Sequence, residues 1–149
     1  MVYLTKYCVE VLTMHERKLG CELPSVQALA FLGDAVHTLY IRERLVNEGA
    51  ARSAELTERS HKYVTASAQA RMLRSIEHLL LDDEREVFRR ASNSTHLNKP
   101  RHARGADYRL ATGFEAVLGM LYAIGDKERL YMLLDKAHEK ETEENDTQD

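Results

Sequence analysis

Apolar side chains recur at helical spacing along almost the whole chain. Leu4, Cys8, Val11 and Leu12 form a first stripe that ends near Gly20. Pro24 suits the first turn of a second helix, which runs through VQALAFLGDAVHTLYIRERLV and stops before Gly49. Ser53 is placed to cap a third, beginning AELTERSHK. A fourth carries Ala68, Met72, Ile76, Leu79 and Leu80 on one face. Asp82 or Asp83 can cap a short fifth that holds Val87 and Phe88. ASNSTHLNKPRHARG is polar, is broken by Pro100 and Gly105, and reads as a loop. A sixth helix runs through ADYRLATGFEAVLGMLYAI to Gly125, and a seventh carries Leu130, Leu133, Leu134 and Ala137. The last ten residues read as disordered. No alternating strand pattern, internal repeat or interdomain linker interrupts the series. The pattern therefore predicts an all-α fold of about seven helices in one domain, residues 1–140, with an acidic tail over 141–149.

Composition narrows the class. At 149 residues the chain can bury a core without disulfides or a structural metal. Its two cysteines, Cys8 and Cys21, exclude a disulfide scaffold or a four-cysteine zinc site and suit a reducing cytoplasm. No apolar run approaches the ~20 residues that span a bilayer, so no membrane role is expected. Charges scattered through the first 20 residues argue against a secretory signal.

The net charge of −3 hides an uneven distribution. Residues 139–149 contribute −5, from six acids and one lysine. Residues 85–109 hold seven basic side chains against Glu86 and Asp107, a local balance of +5.

The most informative feature is a scarcity of charge elsewhere. Across residues 23–40 the only charged side chain is Asp34, and across residues 110–125 it is Glu115. Each acid sits mid-helix in a segment expected to be buried. A buried ionised carboxylate needs a partner, a proton or a metal. Ala30, Gly33 and Ala35 surround Asp34, while Ala111, Gly113, Ala116 and Gly119 surround Glu115. Glycine inside a helix costs about 1 kcal/mol against alanine, so these small residues suggest two backbones in close approach. Two acids brought together suit a hard divalent cation such as Mg²⁺, which accepts one or two carboxylates and leaves positions for water and phosphate. Separate arginine partners, or a shared proton, are the alternatives. His37, three residues after Asp34, reads as a core or supporting histidine rather than a ligand. No phosphate-binding glycine loop, HExxH motif or nucleophile elbow is present.

ALAFLGDAVHTLYIRERL at 28–45 resembles the signature helix of the ribonuclease III family, and TGFEAVLGMLY at 112–122 resembles its second acidic motif. YVTASAQA at 63–70, and the run from Arg90 through Asn93 and Pro100 to Tyr108 and Arg109, match as well. The resemblance covers about residues 24–138 and is nearest to the Mini-ribonuclease III subfamily, the short bacterial form without a double-stranded-RNA-binding domain. Two positions depart from the long forms. Ala30 stands where those carry a glutamate, and Thr112 where they carry an aspartate.

The resemblance implies a helical endonuclease domain and a cytoplasmic homodimer that hydrolyses double-stranded RNA to 5′-phosphate and 3′-hydroxyl ends. It also implies Mg²⁺, with Mn²⁺ as a substitute, held by Asp34 and Glu115, and a dimer contact through Phe31 and Leu32. Precursor large-subunit ribosomal RNA is the expected substrate. Duplex RNA is gripped through phosphates and 2′-hydroxyls across its minor groove. Arg90, Asn93, Ser94, Lys99, Arg101, His102 and Arg104 supply suitable donors for that grip. A catalytically silent scaffold that binds structured RNA is the alternative, kept open by the reduction to two acids.

Overall fold

The computed structural model describes residues 23–94 and 105–146, with side chains through Glu139. Six α-helices and one 3₁₀ turn account for nearly all of them, with no strand among the described residues. The helix expected before Gly20, and most of the loop expected before Gly105, lie outside the described residues.

Helix α1 spans Val26–Asn47. It opens on Ser25, whose Oγ accepts from the Ala28 N–H at 3.2 Å, and it is followed by Gly49 at φ 87°. α2, Ser53–Val64, begins at the residue expected to cap it, so the cap falls one residue earlier. Ser53 is already helical, and Arg52 precedes it without a capping side chain. The Ser53 carbonyl instead accepts from the Thr57 hydroxyl at 2.9 Å. α3, Ala66–Ile76, is capped by Thr65, whose hydroxyl accepts from the Ala68 N–H at 3.2 Å. The 3₁₀ turn Glu77–Leu79 leads to α4, Asp82–Asn93. Neither Asp82 nor Asp83 is the cap there. Leu81 holds that place, and its N–H donates to the Glu84 carboxylate at 2.8 Å. α4 also runs to Asn93, three residues into the segment expected to be loop. α5 spans Gly105–Ala123. α6, Lys127–Asp146, continues into the acidic stretch expected to lack structure.

The core lies where α1, α3, α5 and α6 meet. Leu29, Ile41, Met72, Leu73, Ile76, Phe114, Leu118, Leu121, Leu130, Leu133 and Leu134 are its most deeply buried large apolar side chains. α2 contributes no buried residue and lies against the side of the core through Leu56 and Tyr63. Arg129 at the start of α6 clamps the start of α4. Its Nε and Nη2 donate to Glu84 at 3.0 and 2.9 Å, and Nη2 also donates to the Leu79 carbonyl at 2.6 Å. Both side chains are buried, so removing one partner would leave an uncompensated charge.

The crossing of α1 over α5 positions everything that follows. A Cβ on Gly33 would fall 1.7 Å from the Glu115 carbonyl oxygen. One on Gly119 would fall 1.9 Å from the Leu29 carbonyl oxygen. The two helices touch backbone to backbone, and only glycine permits it. Gly33 and Gly119 thus make the close approach that the small residues predict, whereas Gly113 packs against the Phe88 and Ser92 side chains of α4 and Ala35 faces solvent. No described helix is long and apolar enough to cross a membrane.

Candidate active site

Because Gly33 rests on the backbone of Glu115, its neighbour Asp34 emerges beside the Glu115 side chain. The two carboxylates interact electrostatically. Burial, and then the negative charge of Asp34, push the Glu115 carboxyl up to about 7, against the opposing effect of a hydrogen bond from Gln69. The structure therefore brings together the two acids singled out in the sequence.

Their expected burial needs correcting. Asp34 is exposed and Glu115 is half-buried. The apolar run around Asp34 does not wrap a core helix. It serves two faces. Leu29, Ala30, Gly33, His37 and Tyr40 point inward, whereas Ala28, Phe31, Ala35 and Leu39 point to solvent. Asp34 stands on the outward side of that divide.

Asp34 makes no hydrogen bond or ion pair with any described residue. The arginine partners considered as an alternative to a metal do not meet the two acids among the described residues. Among the described residues, no third acid, histidine or cysteine completes a metal cluster there either. The two positions that depart from the long forms explain this. Ala30 is a buried methyl, and the Thr112 hydroxyl donates to the Tyr108 carbonyl at 3.0 Å. Two mutually repelling hard oxygen donors, one of them open to solvent, fit a cation that takes its remaining ligands from water and phosphate.

Behind the acids lies a polar pair inside the core. Gln69 and His37 are 2% and 1% exposed, and Gln69 Nε2 lies 3.2 Å from His37 Nδ1. His37 also meets the Phe114 ring edge-on, with centroids 5.5 Å apart. Burial, helped by His138, lowers the His37 pKa to about 4, so the ring is neutral near pH 7. The supporting role read for His37 agrees with this placement. Gln69 had no role assigned in the sequence. Its signal was there nonetheless: Gln69, Met72, Leu73 and Ile76 share one helix face, and a lone amide on a core stripe calls for a partner.

Of the residues expected to grip RNA, Arg90 and Asn93 are exposed at the end of α4. The Ser94 hydroxyl donates to the Ala91 carbonyl at 2.8 Å and so is partly used. Lys99, Arg101, His102 and Arg104 lie outside the described residues. The local positive excess is tempered within the fold. Arg89 pairs with Glu86 at 2.8 Å, and Arg85 Nε donates to the Leu80 carbonyl at 2.9 Å. Phe31 is 85% exposed and Leu32 is half-buried.

The family model of the ribonuclease III domain matches residues 27–126, a span that contains both acids and the α1–α5 crossing. Mini-ribonuclease 3 from Streptococcus pneumoniae is 40% identical over 109 residues, spanning 72% of this chain and 85% of that protein. Mini-ribonuclease 3 from Enterococcus faecalis is 34% identical over 121 residues, spanning 80% and 92%. A crystal structure of a protein from Fusobacterium nucleatum superposes with a TM-score of 0.71 at 26% identity, covering 84% of this chain and 96% of that one. The chain belongs to the ribonuclease III family, among its Mini-ribonuclease 3 members. Its activity class is accordingly that of an endoribonuclease.

Proposed function

We propose that this protein is a divalent-metal-dependent endoribonuclease that cuts double-stranded RNA as a homodimer, with precursor large-subunit ribosomal RNA as its substrate. The observation that carries the reading is the coupled Asp34–Glu115 pair, open to solvent on the Asp34 side. Asp34 and Glu115 would hold Mg²⁺, or Mn²⁺ in its place. When bound, that ion supplies charge stabilisation at the phosphate and a more acidic water. Water attacks phosphorus and the P–O3′ bond breaks, leaving a 5′-phosphate and a 3′-hydroxyl. Arg90 and Asn93, with Lys99, Arg101, His102 and Arg104, hold the duplex by its phosphates, a grip that weakens as salt rises.

The dimer reading rests on the outward face of α1. Ala28, Phe31, Ala35 and Leu39 follow one another at helical spacing and are exposed, Phe31 at 85% and Leu39 at 54%. Such a stripe suits an isologous contact with a second copy. Asp34 lies along the same face, so two acidic pairs would flank one two-fold axis, one for each RNA strand.

The test is cleavage of duplex RNA with Mg²⁺ against an EDTA control, for the native chain and Asp34→Asn. The amide is nearly isosteric and Asp34 is exposed, so the fold should be unchanged while cleavage disappears. Persistent cleavage in Asp34→Asn removes the catalytic assignment. A native chain that binds duplex RNA without cutting it favours the silent scaffold, a reading to which the non-acidic Ala30 and Thr112 lend weight.

A further inference from the structure

A cleft of about 340 Å³ lies where the end of α3, the 3₁₀ turn and α4 meet, lined by Arg74, Glu77, His78, Leu80, Arg85 and Phe88. It holds none of the residues assigned above to cleavage or to the RNA grip. Both of its guanidinium groups are fixed on one side. Arg74 Nη2 donates to Asp107 Oδ1 at 2.9 Å, which ties it to the first turn of α5. Arg85 Nε donates to the Leu80 carbonyl at 2.9 Å. The remaining guanidinium nitrogens of both find no acceptor among the described residues. We propose that this cleft is a phosphodiester subsite for the backbone of duplex RNA, in which Arg74 and Arg85 share one phosphate and His78 is a third donor. The inference rests on the RNA-cleaving reading above.

Four observations favour that ligand. First, the donors are prepared. An arginine already held through one nitrogen loses less freedom when its others bind an anion, and planar guanidinium matches phosphate oxygens in pairs. The partner of Arg85 is a carbonyl, which orients the group and leaves its charge whole. Second, the charge balance is modest. Glu77 lines the cleft and Asp107 stands behind Arg74, so two cations face two acids before His78 is counted. Such a balance suits the single charge of an internucleotide phosphate better than a free phosphate dianion. Third, Leu80 and Phe88 give the cleft an apolar wall. Phe88 is fixed against α5, where a Cβ on Gly113 would fall 2.3 Å from its ring. A ribose beside its phosphate can lie on that wall, whereas a hydrated ion gains nothing from it. Fourth, the position suits one substrate. Asp107 precedes Glu115 by eight residues, about 12 Å along the axis of α5. That span is well under one turn of a nucleic-acid duplex, about 34 Å for DNA, so a single duplex can reach the acidic pair and the cleft together.

The experiment measures affinity for a short duplex RNA in EDTA, by fluorescence anisotropy over a range of salt, beside melting temperature. Arg74→Gln and Arg85→Gln should each weaken binding about tenfold, the effect of one lost hydrogen bond to a charged group. Melting temperature should move by no more than a few degrees, since both side chains are exposed. Because the two share one phosphate, the double variant should lose less than the product of the single losses, and its salt slope should fall by about one unit. Independent losses with a slope change of about two overturn the single subsite. Native affinity in the double variant overturns any RNA contact there. Asp107→Asn separates binding from support of α5: it keeps the charge of Arg74, so binding should stay within about threefold of native. A loss equal to that of Arg74→Gln assigns Arg74 to the helix and overturns its part in the subsite. Lys136→Gln, at an exposed cation on α6, should change affinity by less than about twofold, and a tenfold loss there would make the effect one of overall charge. Inorganic phosphate at matched ionic strength should not displace the RNA. Displacement that the double variant abolishes would reassign the cleft to a free anion. If the native chain binds no duplex RNA, the reading on which this one rests fails, a result distinct from the others.

Discussion

At the scale of single residues, charge in unlikely places was the legible signal. Asp34 and Glu115 stood out because nothing else charged shares their helices. Their burial was misjudged because a hydrophobic run records apolarity without its direction, and α1 spends part of its run on an outward face. Gln69 does not stand out in the sequence, because an amide looks ordinary until its helix face is known to be core. His37 adds a pH dependence. Its pKa is about 4 in the fold and about 6.5 when free, so between those values the unfolded chain binds a proton that the native chain refuses. The contribution of neutral His37 is thus full above about pH 6.5 and lost as pH falls toward 4. It amounts to about 3 kcal/mol between pH 7 and pH 4. His138, lowered to about 4 by burial and by Arg44, acts in the same direction. Urea unfolding of cation-free protein should therefore show stability falling with acid, and His37→Leu should remove about 3 kcal/mol of that fall. An unchanged slope in the variant would show that His37 is not buried neutral.

At the scale of elements, long periodic helices were easy to read and their ends were not. α1 and α5 follow their sequence patterns closely, because each has a sustained apolar stripe and a glycine beyond its end. At α2 and α4 the local pattern points to the nearest polar side chain as the cap, whereas the fold uses Arg52 and Leu81. At α4 the reason is tertiary. Glu84 is held by Arg129 from α6, and in that position it serves the Leu81 N–H, a relation across 45 residues that no local pattern contains. The glycines of the α1–α5 crossing were legible as small residues, but which backbone each one touches was not. Gly33→Ala tests that contact. In a free helix the change stabilises by about 1 kcal/mol. Here the new Cβ meets the Glu115 carbonyl at 1.7 Å, and a backbone atom has no rotamer by which to yield. A net loss of about 3 kcal/mol or more is expected, at the upper end for an overpacked core. Separation of the helices would also pull Asp34 from Glu115, so Mn²⁺ binding should weaken in the same variant. A Gly33→Ala protein with native stability would contradict the backbone contact.

At the scale of the whole molecule, the outward face of α1 is the feature that the isolated chain leaves unexplained. A Phe at 85% exposure beside a Leu at 54% is unfavourable in a monomer but contributes strongly once covered. Burying a phenylalanine is worth about 1.5–3 kcal/mol, and a two-fold contact buries it twice. Phe31→Glu removes that gain from both copies and brings two like charges toward the axis. Since Phe31 makes little use of its own protomer's core, the monomer should fold with an unchanged melting temperature. The dimer should weaken by about 3–6 kcal/mol, or roughly two to four orders of magnitude in dissociation constant. Sedimentation equilibrium at micromolar concentration checks both statements: the native chain should run as a dimer and the variant as a monomer. A dimeric Phe31→Glu would move the interface elsewhere, and a monomeric native chain would end the homodimer reading. The consequence for cleavage is specific. Asp34 and Glu115 both come from one protomer, so a dissociated variant keeps its acidic pair and should still bind Mn²⁺. It should nevertheless lose paired cuts on opposite strands, because those require two pairs held at a fixed distance across one duplex.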